Sequence, residues 1–254
     1  MSVVVVCSAK ASPGATTVAA ALALGWPASR ERPVRIVEAD IDGGVLAARF
    51  GLRATPNLAD LAVAARRGIS DEMVADHEQS IADHVALVAA PTSGEQVHAA
   101  LITLGTAVLD LAADPTVDTV VDAGRVSPRV PILVELCRRA GLVLMVARPR
   151  RDEVEAVAAR AAMLRDAGAA VGLVGNRVDR GADPVEFATI AGLPLVGVIG
   201  EDRRGAAVLT GDTVLNERRL ARSALLRHSA DVAAAVIDRL RPVPHAAPTV
   251  GEVA

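Results

Sequence analysis

Short runs of β-branched and aliphatic residues recur along the chain, each followed by a longer stretch mixing alanine and leucine with charge. The runs Val3–Cys7, Val34–Glu38, Val85–Ala89, Thr119–Asp122, Leu142–Ala147, Val171–Asn176 and Leu195–Ile199 predict strands. The stretches Thr16–Leu24, Asn57–Arg67, Gln96–Leu111, Pro131–Arg139, Asp152–Ala167, Pro184–Ala191 and Ala221–Leu240 predict helices. Strands that are apolar along their whole length belong in sheets covered on both faces. The predicted fold is therefore α/β, a mostly parallel doubly wound sheet flanked by helices. Ligands of such sheets sit beyond the carboxyl ends of the strands. One domain accounts for residues 1–241. The tail 242–254, rich in proline and small residues and without periodicity, is expected to be disordered.

Composition narrows this picture at a few points. Of 254 residues 52% are hydrophobic but only 1% aromatic, so the core has to be aliphatic. A net charge of −3 gives no overall basic field to recruit nucleic acid or anionic lipid. The arginine pairs (Arg66/Arg67, Arg138/Arg139, Arg150/Arg151, Arg203/Arg204, Arg218/Arg219) are dispersed and read as solvated surface, so DNA binding stays open but is not favoured. Cys7 and Cys137 form no metal-ligand spacing and read as reduced, buried thiols; the five histidines form none either. No apolar stretch reaches the roughly 18 residues of a membrane span, and Val3–Val6 is too short for a signal core. A cytoplasmic location is the expectation.

Candidate chemistry begins where the first strand ends, in Cys7-Ser-Ala-Lys10-Ala-Ser-Pro-Gly14-Ala15-Thr16-Thr17. A strand, a tight small-residue loop and a helix opening with hydroxyls is a geometry that wraps phosphate. Backbone N–H groups and the positive helix end face the anion, and a Ser or Thr reaches the magnesium. Gly14 lets the backbone come close. Lys10 is the one lysine of the chain; the other 26 of its 27 cationic residues are arginines. A compact ammonium at the shoulder of a phosphate loop is a point charge for a phosphate oxygen.

The segment from Lys10 to Thr17 resembles the deviant Walker A motif of the MinD/ParA family of P-loop NTPases, K-G-G-x-G-K-T-T. Ala11 and Ser12 stand for two glycines, and Ala15 for the second lysine. The resemblance implies that Ser12, Pro13, Gly14, Ala15, Thr16 and Thr17 wrap the phosphates of ATP or ADP and that Thr16 binds Mg²⁺. It further implies that Lys10 reaches across a dimer interface to the partner's nucleotide. Ala15 removes the in-chain cation on the β- and γ-phosphates, so affinity or turnover is expected to fall.

Later segments extend the resemblance over most of the chain. Glu38-Ala-Asp40-Ile-Asp42-Gly-Gly leaves the second strand with two acids one residue apart. Alternation along an extended strand end would put both on one side, where they can converge on one metal. By resemblance, Asp40 touches a magnesium-bound water and Asp42 orients the attacking water. Val120-Val-Asp122-Ala-Gly124-Arg125 resembles a Walker B strand whose Asp122 holds the metal; Arg125 either touches a phosphate or pairs with Asp122. Asn176 and Arg177 resemble the segment that holds the adenine, an amide offering both the donor and the acceptor of a purine edge. Pro194 to Asp202 resembles the family's G-x-I-P-x-D stretch, with Gly200 for the proline.

What the resemblance implies is an ATP-binding switch protein that forms a nucleotide-dependent homodimer and positions or recruits a protein partner, such as pilus or secretion machinery. Atypical members that position tight-adherence pilus or secretion apparatus resemble the departure at Ala15. Hydrolysis to ADP and phosphate stays open at that residue. The alternatives are a non-hydrolysing pseudo-ATPase that acts through protein contacts and a ParA-like DNA-partitioning protein. The tail lacks the cationic and bulky apolar faces of the membrane helix that MinD proteins carry.

Overall fold

The computed structural model describes residues 2–10, 14–27, 32–105, 107, 116–178, 181–213 and 217–240; the expected tail lies outside them. Eight strands make one sheet: β1 (Ser2–Ser8), β2 (Val34–Glu38), β3 (Gln79–Ala82), β4 (Val85–Val88), β5 (Asp118–Arg125), β6 (Leu142–Ala147), β7 (Val171–Val178) and β8 (Leu195–Gly200). Their order across the sheet is β3-β4-β2-β5-β1-β6-β7-β8. β3 runs antiparallel to β4 at the edge, and every other pairing is parallel. β1 lies between β5 and β6, so a loop leaving its carboxyl end meets the ends of both.

Helices cover both faces: α1 (Ala15–Leu24), α2 (Leu46–Arg49), α3 (Leu58–Ala64), α4 (Asp71–Ala75), α5 (Gly94–Leu104), α6 (Pro131–Arg139), α7 (Arg151–Asp166), α8 (Pro184–Ala191), α9 (Arg203–Leu209), α10 (Glu217–Ala221) and α11 (Ala224–Ile237). Alternation along β1 divides the core. Val3, Val5 and Cys7 face one layer with Leu61, Leu101, Leu133 and Leu164, while Val4 and Val6 face the other with Leu22, Leu209 and Val232. In α1 the residues Val18 to Ala23 are all fully buried. Alanine on every side lets that helix lie close on the sheet, which is why it carries no amphipathic stripe. Cys7 and Cys137, far apart in sequence, meet as free thiols in the first layer; their mutual hydrogen bond and then burial push the Cys7 thiol well up.

Several predicted boundaries move for physical reasons. The last helix, predicted over Ala221–Leu240, runs from Ala224 to Ile237, because Ser223 caps α11 by accepting the Leu226 N–H at 3.1 Å. The helix predicted from Asn57 to Arg67 ends at Ala64, and Asn57 is its cap, in a capping box with Asp60. The pattern does not predict β3, α2, α4, α9 or α10; they are short, and tertiary contacts rather than periodicity hold them. β5 does not stop at Asp122 but continues to Arg125.

The exit of β2 is held tightly. Glu38 is fully buried, and its Oε1 accepts the N–H groups of Val45 at 2.6 Å and Leu46 at 2.9 Å. Its Oε2 accepts the Ala90 N–H, beyond β4, at 3.0 Å. Burial raises the Glu38 pKa while these three donors oppose the rise. The loop can lie this close because Gly44 lacks a side chain: a Cβ there would fall on the Ala90 carbonyl oxygen and within 2.7 Å of Glu38 Oε2. Gly44→Ala is therefore expected to lower stability by about 1–3 kcal/mol, the usual cost of overpacking. Urea unfolding measures it, and an unchanged midpoint would mean that the loop is free to relax.

Candidate functional site

The phosphate-loop end of the site is built on the amino end of α1. Gly14 precedes the helix with φ 90°, and the first turn carries neither a side-chain cap nor an acidic residue. Its N–H groups are therefore available to an anion in the way a helix N-terminus offers them. Ala15 is 6% exposed and Thr16 and Thr17 are half-buried. Ser12 and Pro13 lie outside the described residues. Ser8 ties the root of the loop to the next strand, its hydroxyl donating to the Lys10 carbonyl at 2.8 Å and lying 3.3 Å from that of Gly124.

Two predicted acids come together at Gly124, and one of them, Asp122, faces Thr16. Asp122 is fully buried and lies opposite Glu38 in the β2–β5 register and opposite Val6 in the β1–β5 register. Its Oδ1 accepts the Gly124 N–H at 3.1 Å, and its Oδ2 is buried without a hydrogen-bond partner of ordinary geometry. Asp40 packs over Gly124, where any side chain would fall on its carboxyl group. Burial pushes Asp122 up to about 7; hydrogen bonding from the Thr16 hydroxyl and the Gly124 N–H opposes this, and the charges of Asp40 and Glu38 add to it. Burial likewise raises Asp40, with the Asp42 N–H opposing, the Asp42 charge adding, and Arg125 pulling it back. An orphaned buried carboxylate oxygen, a second carboxylate and a facing hydroxyl fit a hard divalent cation such as Mg²⁺. Among the described residues no group of three or more His, Cys, Asp or Glu forms a closed metal cage. Mg²⁺ commonly keeps water and ligand phosphate in its shell, so two carboxylates and a hydroxyl are an apt donor set.

Other predicted residues stand apart from this centre. The chain leaves the extended conformation at Ala39, whose N–H donates to the Asp122 carbonyl at 2.8 Å, and turns at Ile41 and Asp42. Strand alternation thus does not extend to Asp40 and Asp42: Asp40 Oδ1 accepts the Asp42 N–H at 2.9 Å, and the Asp42 side chain is 59% exposed. Asp42 Oδ2 lies 3.6 Å from Arg125 Nη2, so Arg125 pairs with Asp42 and not with Asp122. Lys10 is exposed, and its Nζ donates to the Asp152 carbonyl in the first turn of α7, away from the acids.

A second concavity opens on the other side of α1. It holds about 330 Å³ and is lined by Gly14, Thr17, Asn176, Arg177, Asp202 and Thr210 among others. A Cβ on Gly14 would stand 2.8 Å from Asn176 Nδ2, so the loop and the base-pocket candidate touch. Asn176 is 6% exposed and its Oδ1 accepts the Arg177 N–H at 3.0 Å; Arg177 has φ 52°, a conformation costly for a side chain this long. Asp202, which the sequence marks as the acid of the G-x-I-P-x-D-like stretch without giving it a role, lines this pocket and accepts the N–H groups of Gly205 and Leu225 at 2.9 and 3.0 Å, so one carboxylate caps α9 and α11. Burial raises its pKa, but these and neighbouring backbone donors outweigh burial and leave it lowered. The arginine pairs are not all dispersed: Arg204, Arg218, Arg219 and Arg222 line one open depression of about 560 Å³ beside this pocket.

The order of the strands, the uncapped α1 turn and the acids facing it can be set against solved structures. No family model matches the chain and no curated protein is similar to it in sequence. The cell division ATPase MinD of Pyrococcus furiosus superposes with a TM-score of 0.75 at 20% identity, over 93% of this chain and 98% of that one. A ParA family ATPase from Chlorobium tepidum gives 0.76 at 19%, over 92% and 98%. The chain has the MinD/ParA P-loop fold. MinD of Pyrococcus horikoshii complexed with Mg-ADP has the same fold, with a TM-score of 0.74 at 19% identity over 91% of this chain and 94% of that one. Within the MinD/ParA fold of this chain, no described helix is long and apolar enough to cross a membrane.

The Asp122 environment makes a signed prediction for the nucleotide-free protein. Its folded pKa of about 7 exceeds the ordinary 3.8, so its contribution is fully present below pH 4 and is lost as pH rises through 7. Relative to Asp122→Asn, the native chain should lose a few kcal/mol of stability between pH 4 and 7, since each tenfold change in proton affinity is worth about 1.4 kcal/mol. Urea unfolding of both proteins from pH 4 to 8 reads this directly, and parallel profiles would refute it.

Proposed function

We propose that this protein is a MinD/ParA-like nucleotide switch that binds ATP or ADP with Mg²⁺ and dimerises around nucleotide to position a protein partner. The observation that carries this reading is the convergence of Thr16, Asp40 and Asp122 on the uncapped first turn of α1, with Asn176 against Gly14 on its other side. In this reading the first-turn N–H groups hold the phosphates, Asn176 hydrogen-bonds the base, and Thr16, Asp40 and Asp122 hold the cation. The cation, when bound, neutralises phosphate charge and keeps Asp122 ionised. Asp42, exposed at the mouth, holds the place from which a water could be oriented, and a buried, water-poor floor strengthens each of these interactions. The similar P. horikoshii MinD is complexed with Mg-ADP, and a similar Aquifex aeolicus MinD forms a MinC:MinD complex, which supports both the ligand and a protein partner. Lys10, exposed on the rim, would leave the Asp152 carbonyl to reach a second copy; the partner itself follows the sequence expectation of pilus or secretion machinery.

Polyanion binding is a second reading, favoured by the gathering of Arg204, Arg218, Arg219 and Arg222 around one depression. It predicts DNA affinity that falls steeply with salt and drops further in Arg218→Ala/Arg222→Ala.

Calorimetry with ATP and ADP, with and without Mg²⁺, tests the main reading, with mass followed by light scattering. The expected result is micromolar, Mg²⁺-dependent binding and an ATP-induced dimer that Lys10→Ala abolishes while leaving ADP binding within a few-fold. Absence of binding at millimolar ATP would leave a P-loop fold that acts through protein contacts alone. Phosphate release at saturating ATP, compared with Asp42→Ala, decides whether the bound nucleotide is turned over.

A further inference from the structure

Apart from Lys10 at its root, the phosphate loop of this chain carries no charged side chain. Ala15, in the first turn of α1, is buried and apolar, and the only lysine points its Nζ at the Asp152 carbonyl. A bound triphosphate would therefore meet backbone N–H groups and a cation, but no side-chain cation from its own loop. A guanidinium nevertheless stands at the same mouth. Arg125 ends β5, two residues beyond Ala123 and directly after Gly124, and lies opposite Ser8 in the β1–β5 register. The next residue fixes it there: the Val126 N–H donates to the Ser8 carbonyl at 3.1 Å, while the Ser8 hydroxyl donates into the loop at Lys10. The backbone carrying Arg125 is thus tied to the root of the phosphate loop itself.

The side chain has room to move. It is 49% exposed, and its partner is Asp42 Oδ2 at 3.6 Å, itself more than half exposed. Such a solvated pair is a weak tether. A phosphate tail carries several charges and accepts a planar fork through two oxygens at once, so it competes favourably with one exposed carboxylate. Arg177 and Arg203 line the concavity that holds Asn176, and Arg148 and Arg150 are paired with Glu153 and Asp152.

We infer that Arg125 is the in-chain phosphate cation of this protein, replacing from the end of β5 the charge that Ala15 leaves out, and that Asp42 holds it in reserve when the site is empty. The inference rests on the nucleotide-switch reading and deepens it: in this chain nucleotide binding exchanges an Arg125–Asp42 pair for an Arg125–phosphate contact and so releases Asp42 at the same moment.

The test is a binding cycle on the full chain, read by calorimetry with Mg-ATP and Mg-ADP rather than by turnover. Its variants are Arg125→Ala, Arg125→Gln, Ala15→Lys and Ala15→Lys/Arg125→Ala, each with a thermal melt to confirm folding. Arg125→Ala and Arg125→Gln are expected to weaken Mg-ATP binding at least 10-fold, and Ala15→Lys to restore the Arg125→Ala protein to within about 3-fold of the native chain. Ala15→Lys alone should tighten binding less in the native background than in the Arg125→Ala background, because the two cations serve one phosphate charge. Unchanged affinity in both Arg125 variants overturns the inference and leaves the switch reading standing. A native chain that binds no nucleotide while Ala15→Lys does overturns the inference together with the switch reading, and shows that the fold could still take a nucleotide once the loop cation is supplied. If neither the native chain nor Ala15→Lys binds, the nucleotide reading falls, and the inference with it.

Discussion

The acidic end of the site hangs on one buried carboxylate. Glu38 has no access to water, yet it satisfies three backbone donors from two separate segments, Val45 and Leu46 after the turn and Ala90 beyond β4. Burying a carboxylate is costly unless its oxygens are well hydrogen-bonded, and these bonds offset the cost. The consequence is geometric. With the chain pulled round at Gly44, Asp40 has nowhere to go but over Gly124, which brings it towards Asp122 and the Thr16 hydroxyl. Remove the clamp and the loop carrying Asp40 and Asp42 has no reason to face the phosphate loop.

The clamp also explains why the site is electrostatically unfinished. Glu38, Asp40 and Asp122 sit at adjoining positions with raised pKa values, and burial is the largest cause for each. Like charges held together in a low-dielectric floor favour anything that brings positive charge to them. The orphaned Oδ2 of Asp122 marks where that need is sharpest. In the proposed reading a divalent cation answers it, and a phosphate chain would then meet that cation beside a helix amino end. The strain of assembling the acids becomes affinity for the ligand that relieves it.

Much of this was legible in the sequence, for identifiable reasons. Unbroken apolar runs such as Val3–Cys7 admit only a buried, mostly parallel sheet, and the lysine and hydroxyls flanking α1 raised the expectation of an anion site at its amino end, where the structure finds an uncapped first turn. What the sequence hid was whatever depends on contacts distant along the chain. Glu38 looked like the polar end of a strand; only the fold brings the Ala90 N–H to it, although an acid closing an otherwise apolar run was a usable signal. Asp40 and Asp42 were expected on one side because the strand was assumed to continue, whereas the turn after Ala39 sends them apart. Arg204 and Arg218 to Arg222 became neighbours only when α9 and α10 packed together. Short elements such as β3, with half-polar sequence at the sheet edge, carry too little pattern to be read locally.

Where a positive charge is carried matters as much as whether it is present. A lysine at position 15 would ride on α1 and stand in the phosphate loop itself. Arg125 rides on the end of β5 and has a competitor, Asp42, on the very turn that Glu38 positions. Its availability therefore depends on the arrangement of that turn, and the state of the turn depends on whether Arg125 has left it. Affinity is reduced by whatever holds the pair together, but binding gains a mechanical consequence that a fixed lysine could not give: the turn after β2 learns that the site is filled. In the proposed reading, where the protein reports nucleotide state to a partner, that coupling is worth more than tight binding, since only a difference between the two states carries a signal.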